Sequence, residues 1–185
     1  AVERGYIEIA RYLIDQCANV NAVNNKGWTP LHHAAWNGQT DVARYLVLKG
    51  ANKEAINNVG RTPLHYAVNC DHIDIVQYLI SKANMNAVDN DGWTPLHYAA
   101  YNGRIDIVRF LVSKGANMNA VDNFGSPPLH NAAGAQADHI DIVQYLVSKG
   151  ADVNVIDNDG LTALDLAARA DHIDIVRFLN SKSAI

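Results

Sequence analysis

The chain has 185 residues and a formal net charge of −4, and 49% of its residues are hydrophobic. This length and apolar content suffice for a folded core and argue against disorder, while the mild acidity argues against a nucleic-acid-binding surface. No apolar run approaches the roughly 20 residues that span a bilayer, and two cysteines give no disulfide framework, so we expect an intracellular, cytoplasmic protein without membrane insertion.

The first 23 residues predict the second half of a helical repeat. They open with a charged, amphipathic stretch instead of an apolar leader, and residues 1–2 align with Ala34 and Ala35 further along the chain. The first turn and most of the first helix of this repeat are therefore missing from the sequence. We expect either a fragment of a longer protein or a partner element that covers Ile7, Ile9 and Leu13.

Two markers recur along the chain in the same register. A Leu returns at positions 31, 64, 96, 129 and 164, with spacings of 33, 32, 33 and 35 residues. An aromatic residue before a Leu returns at positions 12, 45, 78, 110, 145 and 178. Such periodicity marks a repeat protein. The prediction is a single domain at 1–185, with a partial repeat 1–23, repeats 24–56, 57–88, 89–121 and 122–156, and a C-terminal capping repeat 157–185.

The repeat at 89–121 begins with a predicted turn and a short helix. Residues 89–92 read Asp-Asn-Asp-Gly, which suits a tight turn. Thr94 is a good N-cap, and Pro95 suits the first helical position because no backbone donor is needed there. We expect this first helix to end near Tyr101.

A longer second helix follows in the same repeat. Gly103 tolerates the left-handed conformation between the two helices, and apolar residues then recur at helical spacing from about Ile105 to Ser113. A helix pair of this size cannot bury its apolar face alone, whereas stacked neighbours can, with about 1.5–3 kcal/mol for each fully buried Leu or Ile. The sequence therefore predicts an all-α repeat in which neighbouring pairs form one another's core.

The motif Thr-Pro-Leu-His at residues 29–32, 62–65 and 94–97 resembles the ankyrin repeat, as does the return Gly-Ala-Asn-Met-Asn-Ala at 115–120. The likeness covers essentially the whole chain. It implies an ankyrin-repeat solenoid of stacked helix pairs with short β-hairpin or turn fingers that project to one side. It also implies that the motif histidines are structural, tying Thr and backbone groups within and between repeats.

Several repeats depart from this motif. One has Pro127 in place of the capping Thr and two extra residues after its first helix, which predicts a bulged turn. Another lacks the Gly after Lys82, so its second helix must end differently. The last repeat has Asp165 in place of His, and it places the polar Asn180 on a face that is apolar elsewhere, which suits a terminal cap.

The eight histidines are not arranged for catalysis or metal binding. Four lie one repeat apart, roughly 10 Å by helix-packing distance, whereas metal ligands converge within about 2 Å of one ion. Three others follow an Asp in the repeated motif Asp-His-Ile-Asp-Ile-Val, which indicates a turn. No nucleophile recurs beside them and no Gly-rich phosphate loop occurs. We expect no catalytic residue, no metal and no cofactor.

Lysines recur at the ends of the second helices, at positions 49, 82, 114, 149 and 182. Cations suit the negative end of a helix dipole, so we interpret these residues as solvated helix ends. The alternative is a small-molecule or lipid-headgroup site built from the same lysines.

The variable positions of the fingers and first helices form the candidate protein-binding site. Trp, Tyr and Arg dominate binding hot spots, at about 2 kcal/mol or more each, and the finger asparagines can add hydrogen bonds. The predicted site comprises Trp28, Trp36, Arg61, Trp93, Tyr101 and Phe124, with Asn25, Lys26, Asn58, Asn90, Asp91 and Asn123. The alternative interpretation is that the aromatic rings only brace each finger against its own helix.

The predicted function is a non-catalytic protein–protein interaction scaffold that binds a protein or peptide in a concave groove formed by finger tips and first helices. The alternative is a targeting or substrate-recruitment segment of a larger enzyme, or of a host-directed effector from an intracellular parasite, symbiont or virus acting in the host cytosol. We expect a protein or peptide partner, no nucleic acid and a monomer, with self-association through the N-terminal face as the other possibility.

Overall fold

The computed structural model describes residue 2, residues 7–81 and residues 83–183. The chain divides into two compact units, residues 1–90 and residues 91–185. Within the described ranges, each unit consists of α-helices joined by turns, and no β-strand occurs. The predicted all-α repeat fold is therefore confirmed, while the repeat and domain boundaries stay a prediction.

The first unit contains one leading helix and two helix pairs. Its helices are α1 (Ile7–Asp15), α2 (Pro30–Trp36), α3 (Thr40–Leu48), α4 (Pro63–Asn69) and α5 (Ile73–Ile80). Helix α2 contacts its pair partner α3 and also α4 of the next pair, and α3 contacts α1 and α5. First helices therefore stack on first helices, and second helices on second helices.

The second unit contains three helix pairs. Its helices are α6 (Pro95–Tyr101), α7 (Ile105–Ser113), α8 (Pro128–Ala133), α9 (Ile140–Ser148), α10 (Ala163–Arg169) and α11 (Ile173–Ser183). The first helices α6, α8 and α10 contact in succession, as do the second helices α7, α9 and α11. None of the eleven helices in the described ranges is both long and apolar enough to cross a membrane.

The side chains between the stacked helices form the core. Most are Leu or Ile with essentially no solvent exposure, and small Ala residues on the first helices allow close approach. The largest are Leu31, Leu46, Leu64, Ile75 and Leu79 in the first unit, and Leu96, Ile107, Leu111, Leu129, Ile142, Leu146 and Ile175 in the second. At about 1.5–3 kcal/mol for each such side chain, burial between pairs is the main force that holds each unit together.

The Thr-Pro-Leu-His motif starts a helix and ties it to the next repeat. In α2, the Thr29 backbone N–H donates to His32 Nδ1 at 3.1 Å, so the ring proton lies on Nε2. His32 Nε2–H then donates to the Arg61 carbonyl oxygen at 2.9 Å. The same bonds link Thr94, His97 and the Ser126 carbonyl. The structural role expected for these histidines is confirmed.

Each finger is a turn closed by its first side chain. The Asn24 carbonyl accepts the Gly27 N–H at 2.9 Å, and Asn24 Oδ1 accepts the N–H groups of Lys26 and Trp28. The same side-chain bonds recur at Asn57, Asp122 and Asp157. Of the two finger forms that the family resemblance implied, β-hairpin or turn, the described residues show the turn.

The predicted departures have structural counterparts. Helix α8 begins after Pro127 without a side-chain cap and ends at Ala133, so its turn is longer. Helix α5 ends at Ile80, and its C-cap Ser81 has helical dihedral angles in place of a left-handed conformation. Lys82 lies outside the described residues. Asp165 replaces the motif His by accepting the Thr162 N–H at 2.9 Å.

The C-terminal and N-terminal helices each leave one face open. Asn180 is exposed on α11, as expected for a polar residue at the end of a stack. Ile9 and Leu13 of α1 are also exposed, as the sequence predicted for apolar residues without a neighbouring pair.

Histidines at the start of second helices bond to the preceding repeat. His72 Nε2–H donates to the Trp36 carbonyl at 3.1 Å, and His139 Nε2–H donates to the Tyr101 carbonyl at 3.2 Å. Both acceptors are carbonyls at the end of a first helix, where no N–H of the same helix can reach them. The histidine of the recurring Asp-His motif supplies the missing donor. His172 reaches Ala133 with its other ring nitrogen, at 3.0 Å.

Candidate functional site

Three aromatic rings of the first unit form the Trp28 cluster, which consists of Trp28, Trp36 and Tyr66. Trp28 precedes the N-cap of α2 and packs on Tyr66 of α4, with ring centroids 4.3 Å apart. Trp36, the last residue of α2, meets Trp28 and Tyr66 edge-on at 5.9 and 5.6 Å. Tyr66 is buried, Trp28 is half-buried and Trp36 is 43% exposed. The cluster thus anchors the finger on two consecutive first helices and presents Trp36 to solvent.

A concave surface that encloses a volume of about 640 Å³ lies beside this cluster. Trp28, Trp36, His33 and Lys26 line it together with Asn24, Asn25 and Asn37. Asn24 Oδ1 already accepts two backbone N–H groups, so its Nδ2 donates to His33 Nε2 at 3.4 Å and fixes the ring tautomer. The structure therefore brings together four predicted residues, namely Trp28, Trp36, Asn25 and Lys26.

The other predicted residues of the first unit connect one finger to the next. Arg61 Nε donates to Asp89 Oδ2 at 3.2 Å, and this carboxylate is 1% exposed. Asn58 Nδ2 donates to the Asn25 carbonyl at 3.0 Å, and Asn90 Nδ2 donates to the Asn58 carbonyl at 3.3 Å. The side-chain amides of these asparagines thus hold neighbouring fingers together.

The second unit repeats the aromatic arrangement at Trp93. Its ring packs on the buried Tyr98 at 4.9 Å and meets Tyr101 edge-on at 5.4 Å. The indole N–H donates to Asp122 Oδ2 of the next finger at 3.0 Å. Trp93 is half-buried, whereas Tyr101 is 38% exposed and Phe124 is 65% exposed.

Backbone bonds position the finger tips of the second unit. The Asn123 N–H donates to the Asp91 carbonyl at 3.0 Å, and the Asn158 N–H donates to the Phe124 carbonyl at 2.8 Å. Asn158 Nδ2 also donates to the Asn123 carbonyl at 3.1 Å. These bonds hold the tips in register and leave the Phe124 ring in solvent.

A row of exposed β-branched residues was missed at the sequence level. One Val or Ile immediately precedes the first turn residue of each finger, and each is 53–65% exposed. These residues are Val23, Ile56 and Val88 in the first unit and Val121 and Ile156 in the second. Repeated apolar residues outside both helices were the available signal, since exposed apolar patches mark interaction surfaces.

The lysines at the second-helix ends are used within their own helices. Each ammonium lies over the aromatic ring one turn earlier, 5.4–5.7 Å from its centroid. The pairs are Lys49–Tyr45, Lys114–Phe110, Lys149–Tyr145 and Lys182–Phe178. Lys49 also bonds to Asp15 at 2.9 Å. Cation–π contacts therefore account for these four positions without a ligand.

Perturbed ionisable groups belong to helix caps and to contacts between repeats. Burial lowers the pKa of the His32 and His130 imidazoles, against the opposing effect of their bonds to carbonyl oxygens. The Thr162 hydroxyl and backbone N–H lower the pKa of the Asp165 carboxyl. No group of three His, Cys, Asp or Glu side chains that could hold a metal ion occurs among the described residues. These three pKa shifts arise from contacts that hold the fold together, so they affect its stability.

Comparison with known proteins identifies the family. No curated protein matches the chain. The family model described as ankyrin repeats, in three copies, matches residues 1–57, 48–122 and 114–184. These matches cover almost the whole sequence and agree with the capped helix pairs and turn fingers of both units. The chain therefore belongs to the ankyrin-repeat family, whose members generally mediate protein–protein interactions.

Proposed function

We propose that the chain is a non-catalytic scaffold that binds another protein or a peptide through its finger tips and first helices. Each unit contributes one patch, centred on the Trp28 cluster in the first and on Trp93 and Tyr101 in the second. The supporting observation is that exposed aromatic rings are fixed against less exposed ones, Trp36 on the buried Tyr66 and Tyr101 on the half-buried Trp93.

Fixed aromatic side chains favour binding because little side-chain entropy is lost on association. Trp and Tyr contribute large contact areas and dominate interface hot spots. The half-buried Trp28 and Trp93 serve as supports, so bracing and binding are complementary roles of one cluster. The exposed Val or Ile that precedes each finger adds further apolar surface.

The proposal also states that the chain has no catalytic activity. The motif histidines use their ring nitrogens for the Thr cap and for a carbonyl of the next repeat, as in His32 and His97. A histidine bonded at both nitrogens has no free site for proton transfer. The mild net negative charge supports a protein partner over a nucleic acid.

Affinity capture tests this proposal. The wild-type chain and a Trp36→Ala, Tyr101→Ala variant are used to capture partners from the source cells, and bound proteins are quantified. We expect the variant to lose the partner, because each hot-spot aromatic contributes about 2 kcal/mol or more. A matched control is Leu48→Ala with Ile173→Ala, two exposed apolar residues on second helices. A partner retained by the aromatic variant and lost by the control would refute the proposed surface.

A further inference from the structure

The concave surface beside the Trp28 cluster presents hydrogen-bond donors without an acidic partner. Trp28, Trp36 and Lys26 line it, and no Asp or Glu does. Within the described part of the chain, neither indole N–H donates a hydrogen bond and the Lys26 ammonium forms no ion pair. The residues that line the surface therefore carry one positive charge and two indole N–H groups.

Equivalent positions in the next two repeats have a carboxylate partner. The side chain before the capping Thr is Arg61 in one repeat and Trp93 in another. Arg61 Nε donates to Asp89 and Trp93 Nε1 donates to Asp122, each the first residue of the following finger. A carboxylate of the chain itself thus satisfies the donor at this position in both cases.

Asn57 occupies the corresponding position after Trp28 and cannot replace that carboxylate. Its Oδ1 accepts the N–H groups of Val59 and Arg61 at 3.1 and 2.9 Å. Its Nδ2 donates to the Tyr66 hydroxyl at 2.7 Å, and the side chain is buried. The Trp28 indole therefore lacks the internal acceptor that Trp93 has.

We propose that the concave surface beside the Trp28 cluster binds an acidic side chain of the partner, next to an apolar or aromatic residue. The partner's carboxylate accepts a hydrogen bond from an indole N–H, as Asp122 does from Trp93, and Lys26 complements its charge. The neighbouring apolar residue packs on the exposed Trp36 ring. A single lysine with neutral indole donors suits a carboxylate, since phosphate sites are typically built from arginine clusters.

This inference rests on the proposed protein-binding function and specifies the chemistry of the partner at one of its patches. A library of random dodecapeptides displayed on phage is selected against the whole chain. Enriched peptides are then synthesised and titrated by fluorescence anisotropy. We expect Asp or Glu beside an apolar residue in the binders, and about tenfold weaker binding when the acid is replaced by its amide.

Three variants locate the carboxylate. Trp28→Phe keeps a ring but removes the N–H, and Lys26→Met keeps the stem but removes the charge. Asn57→Asp restores an internal carboxylate beside the cluster. Each should weaken the acidic peptides about tenfold and weaken their uncharged amide forms less. Lys149→Met, which removes an exposed charge at the end of the second helix α9, is the matched control and should leave acidic-peptide affinity unchanged.

The outcomes separate this inference from the proposed function. Neutral or basic peptides that depend on Trp36 would overturn the acidic partner and leave the protein-binding surface standing. The acidic partner would also be overturned if acidic binders kept full affinity for Lys26→Met and Trp28→Phe, or if no Trp28-dependent peptide were selected. Peptides that keep full affinity for the Trp36→Ala, Tyr101→Ala variant would refute the proposed surface itself.

Discussion

At the scale of single residues, the Thr–His pair of each first helix is the main polar element of the fold. In one repeat the pair is broken, because Pro127 has neither the backbone N–H nor the hydroxyl that Thr offers. His130 Nδ1 is consequently buried without a hydrogen-bond partner, although Nε2 still bonds to the Leu161 carbonyl. A buried unsatisfied nitrogen destabilises the folded state by about 1–3 kcal/mol.

Restoring the cap should therefore stabilise the chain. The Pro127→Thr substitution supplies a backbone N–H and a hydroxyl as donors to His130 Nδ1. Removing the proline also makes the unfolded chain more flexible, which lowers the stability by a smaller amount. We expect the free energy of unfolding in urea to rise by about 1 kcal/mol. The reverse change, Thr94→Pro in an intact repeat, should lower it by at least about as much. An unchanged or reduced stability of Pro127→Thr would contradict this account of the cap.

The buried histidines predict a decrease in stability on mild acidification. Burial lowers the pKa of His32 and His130 in the folded state, so below the unfolded value of about 6.5 the unfolded chain binds more protons. The free energy of unfolding should fall as pH drops below about 6.5, by at most about 1.4 kcal/mol per pH unit for each histidine. Urea unfolding at several pH values measures this slope, and His130→Asn should reduce it. A slope that appears only below about pH 4 would assign the effect to carboxylates instead.

At the scale of helices and turns, a glycine between two helices accommodates the histidine of the next repeat. Gly103 has a φ of +71°, and a Cβ there would lie 2.5 Å from the His139 ring. Gly115 also has a positive φ, of +90°, but a Cβ there would meet nothing within 4 Å. The two positions separate backbone strain from contact with the ring.

Substituting each glycine by alanine measures the two effects. Gly115→Ala should lower the free energy of unfolding by about 1–2 kcal/mol, from the left-handed backbone alone. Gly103→Ala should lower it further, by about 1 kcal/mol, since the ring must move and His139 loses its bond to the Tyr101 carbonyl. Denaturant unfolding of both variants provides the test. Equal losses would show that the ring contact contributes nothing.

Local signals explain why the elements were predictable. The first helix at Pro95–Tyr101 and the second at Ile105–Ser113 follow from a Thr cap, a Pro start, a turn Gly and apolar spacing. The bond from His139 to Tyr101 was not predictable in this way, since it joins residues 38 positions apart. The turn form of the fingers was also predictable, since residues 89–92 read Asp-Asn-Asp-Gly.

At the scale of the whole chain, sequence periodicity located the variable positions but not their surroundings. It assigned Trp28, Trp36, Trp93 and Tyr101 to the candidate site. In the structure, Trp28 neighbours Trp36 and Trp93 neighbours Tyr101. It did not show that Trp28 packs on Tyr66 of the next repeat, because that contact depends on how helix pairs stack. It also did not separate supporting rings from exposed ones, which requires the burial of each side chain.

The exchange of backbone amide hydrogens in the complex with the captured partner tests the central claim most directly. Deuterium uptake is compared for the free and bound chain. Binding through finger tips and first helices predicts slower exchange in the segments 24–37, 57–69, 91–101 and 123–133, with second helices such as α3 and α9 unchanged. Slower exchange confined to the second helices, with the finger segments unaffected, would contradict the account.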